Sequence, residues 1–155
     1  MELKNILSTL EGLKVKGDLN IDISNIDSDS RNIKENGLFV AIKGFDVDGH
    51  NYIKEAIKRG AVAVIASIDA DKKLLKEIMD KVTLILAPDT RLALAICACN
   101  FYDNPSRKFK LVGITGTKGK TTTSFMVKRI LEKAGKKVGL VGTIATYIGD
   151  EKLED

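Results

Sequence analysis

The sequence is poor in the residues that build metal sites and disulfide frameworks. Its 155 residues include one histidine, two cysteines, two prolines and no tryptophan, and aromatic residues make up 5%. With His50 as the only histidine, the chain lacks the cluster of His and Cys ligands that a zinc site needs. We therefore expect His50 to hydrogen-bond at the start of the helix that follows it, or to pack in its loop.

The two cysteines, Cys97 and Cys99, lie in an apolar segment, 92–101, that has helical character. Residues two apart on a helix point in different directions, so the pair suits neither a disulfide nor a shared metal. We expect both thiols to be buried as small apolar side chains.

Long apolar runs are also missing. None approaches the ~18 residues that a membrane-spanning helix needs, and charges in residues 1–7 interrupt the apolar core that a signal peptide requires. The formal net charge of +4 arises from 25 basic and 21 acidic residues that are interspersed, which is typical of a solvated surface. We expect a cytoplasmic monomer that binds neither membrane nor nucleic acid.

Strand-like and helix-like segments alternate from residue 38 to residue 101. Apolar β-branched runs predict strands at 38–44, 61–66 and 82–87. Helical spacing predicts helices at 51–60, through Ile53, Ala56 and Ile57; at 71–81, through Leu74, Leu75 and Ile78; and after the cap Asp89, through Leu92, Ala95, Ile96 and Cys99. This alternation indicates the α/β class with a largely parallel sheet.

Turn formers and charges at 103–108 predict a boundary between two domains, 1–107 and 108–155. The second domain should begin with a βαβ unit, in which strand 110–115 precedes a helix at 121–134, capped by Gly135, and strand 137–142 follows. The helix should turn Phe125, Met126, Ile130 and Leu131 towards the core. Because a lone βαβ unit cannot cover both faces of its strands, we expect the chain to hold only the start of this domain.

A glycine-rich loop stands between that predicted strand and helix, and it ends in Gly119-Lys120-Thr121. This order is typical of a phosphate cradle, in which backbone N–H groups, a lysine and a Mg²⁺-binding hydroxyl meet a nucleotide. The strict pattern needs a glycine at Ile114, whereas the glycines here are Gly113, Gly116 and Gly119. The context favours a nucleotide site over a structural glycine turn.

The loop variant at 113–123 resembles the ATP-binding signature of the Mur ligases, which synthesise peptidoglycan precursors. Segments 100–107 and 139–144 resemble the members that add the third residue of the stem peptide, and 29–31, 37–44 and 48–53 are similar to the family's UDP-binding domain. The resemblance covers essentially all 155 residues. It implies a small UDP-binding α/β domain followed by the start of a P-loop ATPase domain.

The resemblance also implies the roles of particular residues. Ser30 and the loop Phe45, Asp46 and Val47 would bind UDP-N-acetylmuramoyl dipeptide, to which a diamino acid, meso-diaminopimelate or L-lysine, is added with ATP and Mg²⁺. ATP would contact Thr115, Gly116, Thr117, Lys118, Gly119, Lys120 and Thr121, with Lys120 as catalytic residue and Thr121 as Mg²⁺ ligand.

Two of these positions have a second interpretation. For 29–31, the residues alone favour a turn in which Arg31 pairs with Asp29. Lys118 stands where the family usually has asparagine, and lysine accepts no hydrogen bond, so its substrate contact differs.

Other functions stay open at this point. A neighbouring Mur ligase or folylpolyglutamate synthase shares the loop, and a non-catalytic nucleotide-binding module or, more distantly, a nucleic-acid-binding protein is also compatible with the sequence. Because the residues that select the incoming amino acid lie elsewhere in the family, we expect this chain alone not to catalyse ligation.

Overall fold

The computed structural model describes residues 1–45 and 47–153. The chain divides into two compact units, Met1–Phe109 and Lys110–Asp155, and each has its own sheet. No helix among the described residues has the length and apolar character needed to cross a membrane.

The first unit is a five-stranded sheet with helices on both faces. Along the chain its elements are α1 (Leu3–Leu7), β1 (Lys14–Lys16), β2 (Asn25–Asp27), β3 (Gly37–Val40), α2 (Ile53–Lys58), β4 (Ala61–Ser67), α3 (Lys72–Ile78), β5 (Thr83–Ala87) and α4 (Thr90–Phe101). Short 3-10 helices lie at Ser30–Asn32, Gly49–Tyr52 and Pro105–Arg107. The strand order is β1-β5-β4-β3-β2; β2 to β5 are parallel and only the edge strand β1 is antiparallel to its neighbour. The predicted α/β class is confirmed.

The central strands are buried on both faces, which explains their nearly continuous apolar sequence. In β4, Ala63 and Ile65 pack in the cluster that includes α1 and α4, whereas Val64 and Ala66 pack in the cluster that includes α2 and α3. The helical spacing of α2 and α3 is confirmed, since Ile53 and Ile78 are buried in the second cluster.

The face that α4 buries differs from the predicted stripe. Ala93 and Cys97 are fully buried, whereas Leu92 is 55% exposed and Cys99 is also exposed. The segment 92–99 is apolar on every side of the helix, so its spacing could not select one face; packing of α4 on α1 and the sheet does. Burial raises the pKa of the Cys97 thiol to about 12. The prediction that both thiols are buried is therefore wrong for Cys99.

The second unit contains α5 (Lys120–Lys133) and an antiparallel sheet of β6 (Gly139–Val141), β7 (Thr146–Ile148) and β8 (Glu151–Leu153). Gly135, with φ of +73°, follows the helix end as predicted. The β6 strand lies inside the predicted segment 137–142 but pairs antiparallel with β7.

Two expectations for this unit are wrong. The predicted strand at 110–115 is not formed: Leu111 and Val112 are exposed, and within the described part of the chain no strand supplies the backbone partners that a strand needs. The predicted core stripe of α5 is also incomplete, because Met126 and Ile130 are exposed while Lys128 is buried.

Candidate functional site

The glycine-rich loop leads directly into the N-terminus of α5. Gly116 and Gly119 have φ angles of +147° and +76°, which L-residues with a side chain rarely adopt, and Gly119 is the N-cap of the helix. Apart from Gly119 itself and its two chain neighbours, no heavy atom of the described residues lies within 4 Å of the position that a Cβ at Gly119 would occupy. The backbone of the loop is therefore open to an approaching group.

The electrostatics of this loop favour an anion. The first N–H groups of the 14-residue helix α5 carry the positive end of its dipole. Lys120 folds back over the loop, where its Nζ donates a hydrogen bond to the carbonyl oxygen of Gly116 at 2.7 Å. Thr121 is half-buried in the first turn, whereas the neighbouring side chains of Thr115, Thr117 and Lys118 are exposed.

Ser30 lies in the 3-10 helix that follows β2, and it is buried, with 4% of its surface exposed. The Asp29 carboxylate accepts a hydrogen bond from the backbone N–H of Arg31 at 2.9 Å. It also forms an ion pair with the Arg31 guanidinium, with Oδ2 and Nη2 2.5 Å apart. The side-chain and backbone hydrogen bonds from Arg31 lower the pKa of Asp29 to about 2. The Asp29–Arg31 pairing is thus present, and Ser30 offers a ligand only a small surface.

Backbone contacts join described residues on either side of the loop after β3. The N–H of Gly44 donates to the carbonyl of Val47 at 2.9 Å, and Lys43 bridges Asp48 in antiparallel fashion. Phe45 is 99% exposed and Val47 is also exposed, whereas the predicted contact at Asp46 lies outside the described residues.

Arg91, at the start of α4, makes two contacts with this loop. Its Nη2 donates to the carbonyl oxygen of Lys43 at 3.0 Å, and its guanidinium carbon lies 5.8 Å from the ring centroid of Phe45, within cation–π range. Asp89 caps the helix by accepting from the N–H of Arg91 and of Leu92. Arg91 is not among the residues predicted from the sequence, because its hydrogen-bond partner Lys43 is 48 residues away and no local pattern marks it.

His50 makes hydrogen bonds at the same edge of the sheet. Its Nδ1 lies 2.6 Å from Oδ1 of Asp48, and its Nε2 accepts the backbone N–H of Ser67 at 3.0 Å. The backbone N–H of His50 also donates to Asp48, which confirms the expected role at the start of the helical turn. Partial burial acts to raise the pKa of Asp48, but these hydrogen bonds outweigh it and lower the pKa below its usual value.

The topology brings the predicted substrate residues to one edge of the sheet. Ser30 follows β2, Phe45 and Val47 follow β3, and Arg91 follows β5. These strands are parallel, so their carboxyl ends meet at the same edge, where open α/β sheets bind their ligands. The glycine-rich loop belongs to the second unit.

Comparison with known proteins agrees with this architecture. Residues 22–102 match the family model "Mur ligase family, catalytic domain", and residues 114–154 match "Mur ligase middle domain". The UDP-N-acetylmuramoyl-L-alanyl-D-glutamate--2,6-diaminopimelate ligase of Clostridium tetani is 51% identical over 154 residues, which cover 99% of this chain and 31% of the relative. The ligase of the same name from Caldanaerobacter subterraneus subsp. tengcongensis is 49% identical over 150 residues, 96% of this chain and 30% of the relative.

A solved structure is similar as well. MurF from Acinetobacter baumannii superposes with a TM-score of 0.63 and 26% identity, over 85% of this chain and 27% of that one. The parallel sheet and the glycine-rich loop before a helix thus define a mixed α/β protein of the Mur ligase architecture. The chain belongs to the Mur ligase family. It spans 31% of the length of its Clostridium tetani relative.

Proposed function

We propose that this chain provides the UDP-substrate domain and the ATP phosphate loop of a ligase that adds a diamino acid to UDP-N-acetylmuramoyl-L-alanyl-D-glutamate. The observation that carries the proposal is the 51% identity, across nearly the whole chain, to a ligase named for 2,6-diaminopimelate. That name favours diaminopimelate over lysine as the incoming amino acid.

The first unit would bind the uridine diphosphate end of the substrate at the carboxyl edge of its sheet. The exposed Phe45 offers an aromatic face for a base or ribose, and the loop that carries Val47 offers backbone amides for pyrophosphate. The buried Ser30 would contribute its hydroxyl to the same site. Arg91 contacts both Lys43 and Phe45, and these contacts would help to position the two residues for substrate.

The loop of the second unit fits the phosphates of ATP. Its open backbone, the helix dipole and the Lys120 ammonium all favour anionic oxygens. The contact between Lys120 and the carbonyl of Gly116 already holds the ammonium over the loop, where phosphate oxygens would replace that carbonyl as its partner. Amides from Gly116 to Gly119 would hold the β-phosphate, with Thr115, Thr117 and Lys118 at the rim.

Mg²⁺ would rest on Thr121 and on the phosphate oxygens of the nucleotide. Within the described ranges, no group of three or more His, Cys, Asp or Glu side chains is placed to hold a metal. Mg²⁺ commonly binds through few protein ligands plus substrate phosphates, so the single hydroxyl of Thr121 is compatible with this arrangement. The ion would neutralise charge as the phosphates meet the substrate carboxylate.

The chemistry that ATP supplies is transfer of its γ-phosphoryl group to the substrate carboxylate, after which the amino group attacks the acyl carbon and phosphate leaves. The contribution of this chain is to align anions that repel one another and to neutralise their charge. Lys120 would stabilise the negative charge on the moving phosphoryl group. Lys118 would add a second positive charge to the loop. Unlike the asparagine that the family usually has at this position, it cannot accept a hydrogen bond.

Calorimetric titration of the chain with UDP-N-acetylmuramoyl-L-alanyl-D-glutamate tests the proposal. We expect saturable binding that UDP competes for and that Ser30→Ala weakens, while Lys120→Ala leaves it unchanged because Lys120 belongs to the other unit. Absence of binding by the folded wild-type chain would contradict the assignment of the first unit.

A further inference from the structure

A groove with an apolar floor and basic walls lies at the β1 edge of the first unit. Its volume is about 300 Å³. The floor consists of Leu84 and Leu86 from β5 with Leu75 and Met79 from α3. None of the residues proposed to bind substrate or nucleotide lines this groove, so the proposed function leaves it unused.

The groove exists because helix cover stops short of the sheet edge. The seven-residue helix α3 packs with Leu84 and Leu86 in one core cluster, but it does not extend over β1. The register pairs Lys14 with Leu86 and Lys16 with Leu84, so these lysines lie on the same sheet face as the two leucines. A face meant to be covered by this chain's own core would carry apolar residues there.

The two walls of the groove are positively charged. Lys14 and Lys16 form the strand wall, and Lys72 and Lys76 form the helix wall. Their aliphatic stems can border the apolar floor while the ammonium groups stay in water. All four lysines are exposed.

Few carboxylates of the described chain compete for these lysines. Asp80 lies 3.4 Å from Lys16. Glu77, on α3, pairs instead with Lys54. Among the described residues, no ion pair within 4.0 Å involves Lys14, Lys72 or Lys76. The walls therefore hold uncompensated positive charge on both sides of an apolar strip.

We propose that this groove docks a short acidic amphipathic segment of a partner protein. Apolar side chains of that segment would cover Leu75, Met79, Leu84 and Leu86, and its Asp and Glu side chains would pair with both lysine walls. An amphipathic helix matches this pattern. It presents an apolar stripe to the floor of the groove and charged residues on each side of that stripe to the two walls.

Other anionic partners match the groove less well. A nucleic-acid backbone would pair with the lysines but leave the apolar floor facing water. Because burial of apolar surface is favourable, a partner that also covers the floor is preferred. A bilayer surface is flat, so it would contact the lysines at the rim of the groove without filling the groove. Charge on both walls together with an apolar floor thus favours the acidic peptide.

The test titrates the isotope-labelled chain with a synthetic peptide that has leucines at helical spacing and glutamates between them. We expect chemical-shift changes at Leu75, Met79, Leu84 and Leu86, and binding that higher salt weakens. A peptide with lysine for glutamate, and one with serine for leucine, should bind far less. Equal binding of either control peptide would overturn the proposal.

Variants of the chain make the test specific. Lys14→Glu combined with Lys72→Glu reverses one charge on each wall and should weaken peptide binding roughly tenfold. Lys58→Glu combined with Lys133→Glu, at exposed lysines on α2 and α5 outside the groove, changes the net charge equally; it is the matched control and should leave affinity unchanged. An equal loss in both variants would overturn the proposal, as would co-sedimentation with anionic vesicles in place of peptide binding.

Discussion

His50 shows how a lone histidine can be structural. Its Nε2 accepts the N–H of Ser67 and its ring contacts Asp48, so it joins the turn before α2 to the end of β4. Replacing His50 with Phe removes the acceptor and leaves the Ser67 N–H without a partner. We expect a loss of about 1–3 kcal/mol in the free energy of unfolding, measured by urea denaturation. Ser8→Ala, at an exposed site, serves as control, and an unchanged midpoint for His50→Phe would contradict this role.

The ion pair between Asp29 and Arg31 predicts that the stability of the folded chain depends on pH. The folded-state pKa of Asp29 is about 2, whereas an unperturbed Asp titrates near about 3.9. Its contribution to stability is therefore complete above about pH 4 and is lost as pH falls through about 2. A carbon-detected NMR titration should give a midpoint near 2 for Asp29, and Arg31→Gln should raise that midpoint. A wild-type midpoint at the unperturbed value would refute the pairing in solution.

At the scale of elements, the loop after β3 depends on α4. Arg91 contacts the carbonyl of Lys43 and the ring of Phe45, so Arg91→Ala should release the loop and weaken binding of the UDP-substrate about tenfold. Arg91→Lys keeps the charge but loses the planar fork, and we expect an intermediate affinity. Calorimetry of the chain measures both, with Arg59→Lys as control. Wild-type affinity in Arg91→Ala would show that the contact does not shape the site.

Helix α5 gives a stability prediction for the second unit. Met126 and Ile130 are exposed, so Met126→Lys and Ile130→Lys should each change its stability by less than about 0.5 kcal/mol. Leu140 in β6 is buried, and Leu140→Ala should cost about 2 kcal/mol or more. Denaturation followed by the amide signals of this unit would decide. A large loss for the α5 variants would restore the predicted core stripe.

The way in which each element is stabilised explains whether the sequence could predict it. The strands β3 to β5 and the helices α2 to α4 carry long apolar patterns, and they were predicted. The short elements α1, β1 and β2 were missed, since β1 and β2 have three residues each and are fixed by pairing with distant segments. The strand at 110–115 was predicted from a sound local pattern but needs a neighbouring strand, and no local pattern can supply one.

The candidate site divides in the same way. The glycine-rich loop is contiguous in sequence, so its residues could be named before the structure. The substrate edge joins Ser30, Phe45 and Arg91 from three separate connections, and only the parallel topology brings those connections together. Arg91 in particular could be identified only from the structure, because its hydrogen bond to Lys43 spans 48 residues.

At the scale of the whole molecule, two units divide the proposed work. The first, Met1–Phe109, presents the carboxyl edge of a parallel sheet, and the second carries the phosphate loop at the start of α5. This division predicts that substrate binding and nucleotide binding can be lost separately. None of the residues proposed for either task lines the groove of the first unit, where we propose that a partner docks.

The most direct measurement uses a chimera in which this chain replaces the matching segment of the Clostridium tetani ligase, to which it is 51% identical. Ligation of diaminopimelate to UDP-N-acetylmuramoyl-L-alanyl-D-glutamate is followed by ADP release and by mass of the product. We predict that the chimera forms the tripeptide product, and that Lys120→Ala abolishes turnover while binding of the UDP-substrate persists. A folded chimera without ligation, or unchanged turnover in Lys120→Ala, would contradict the account.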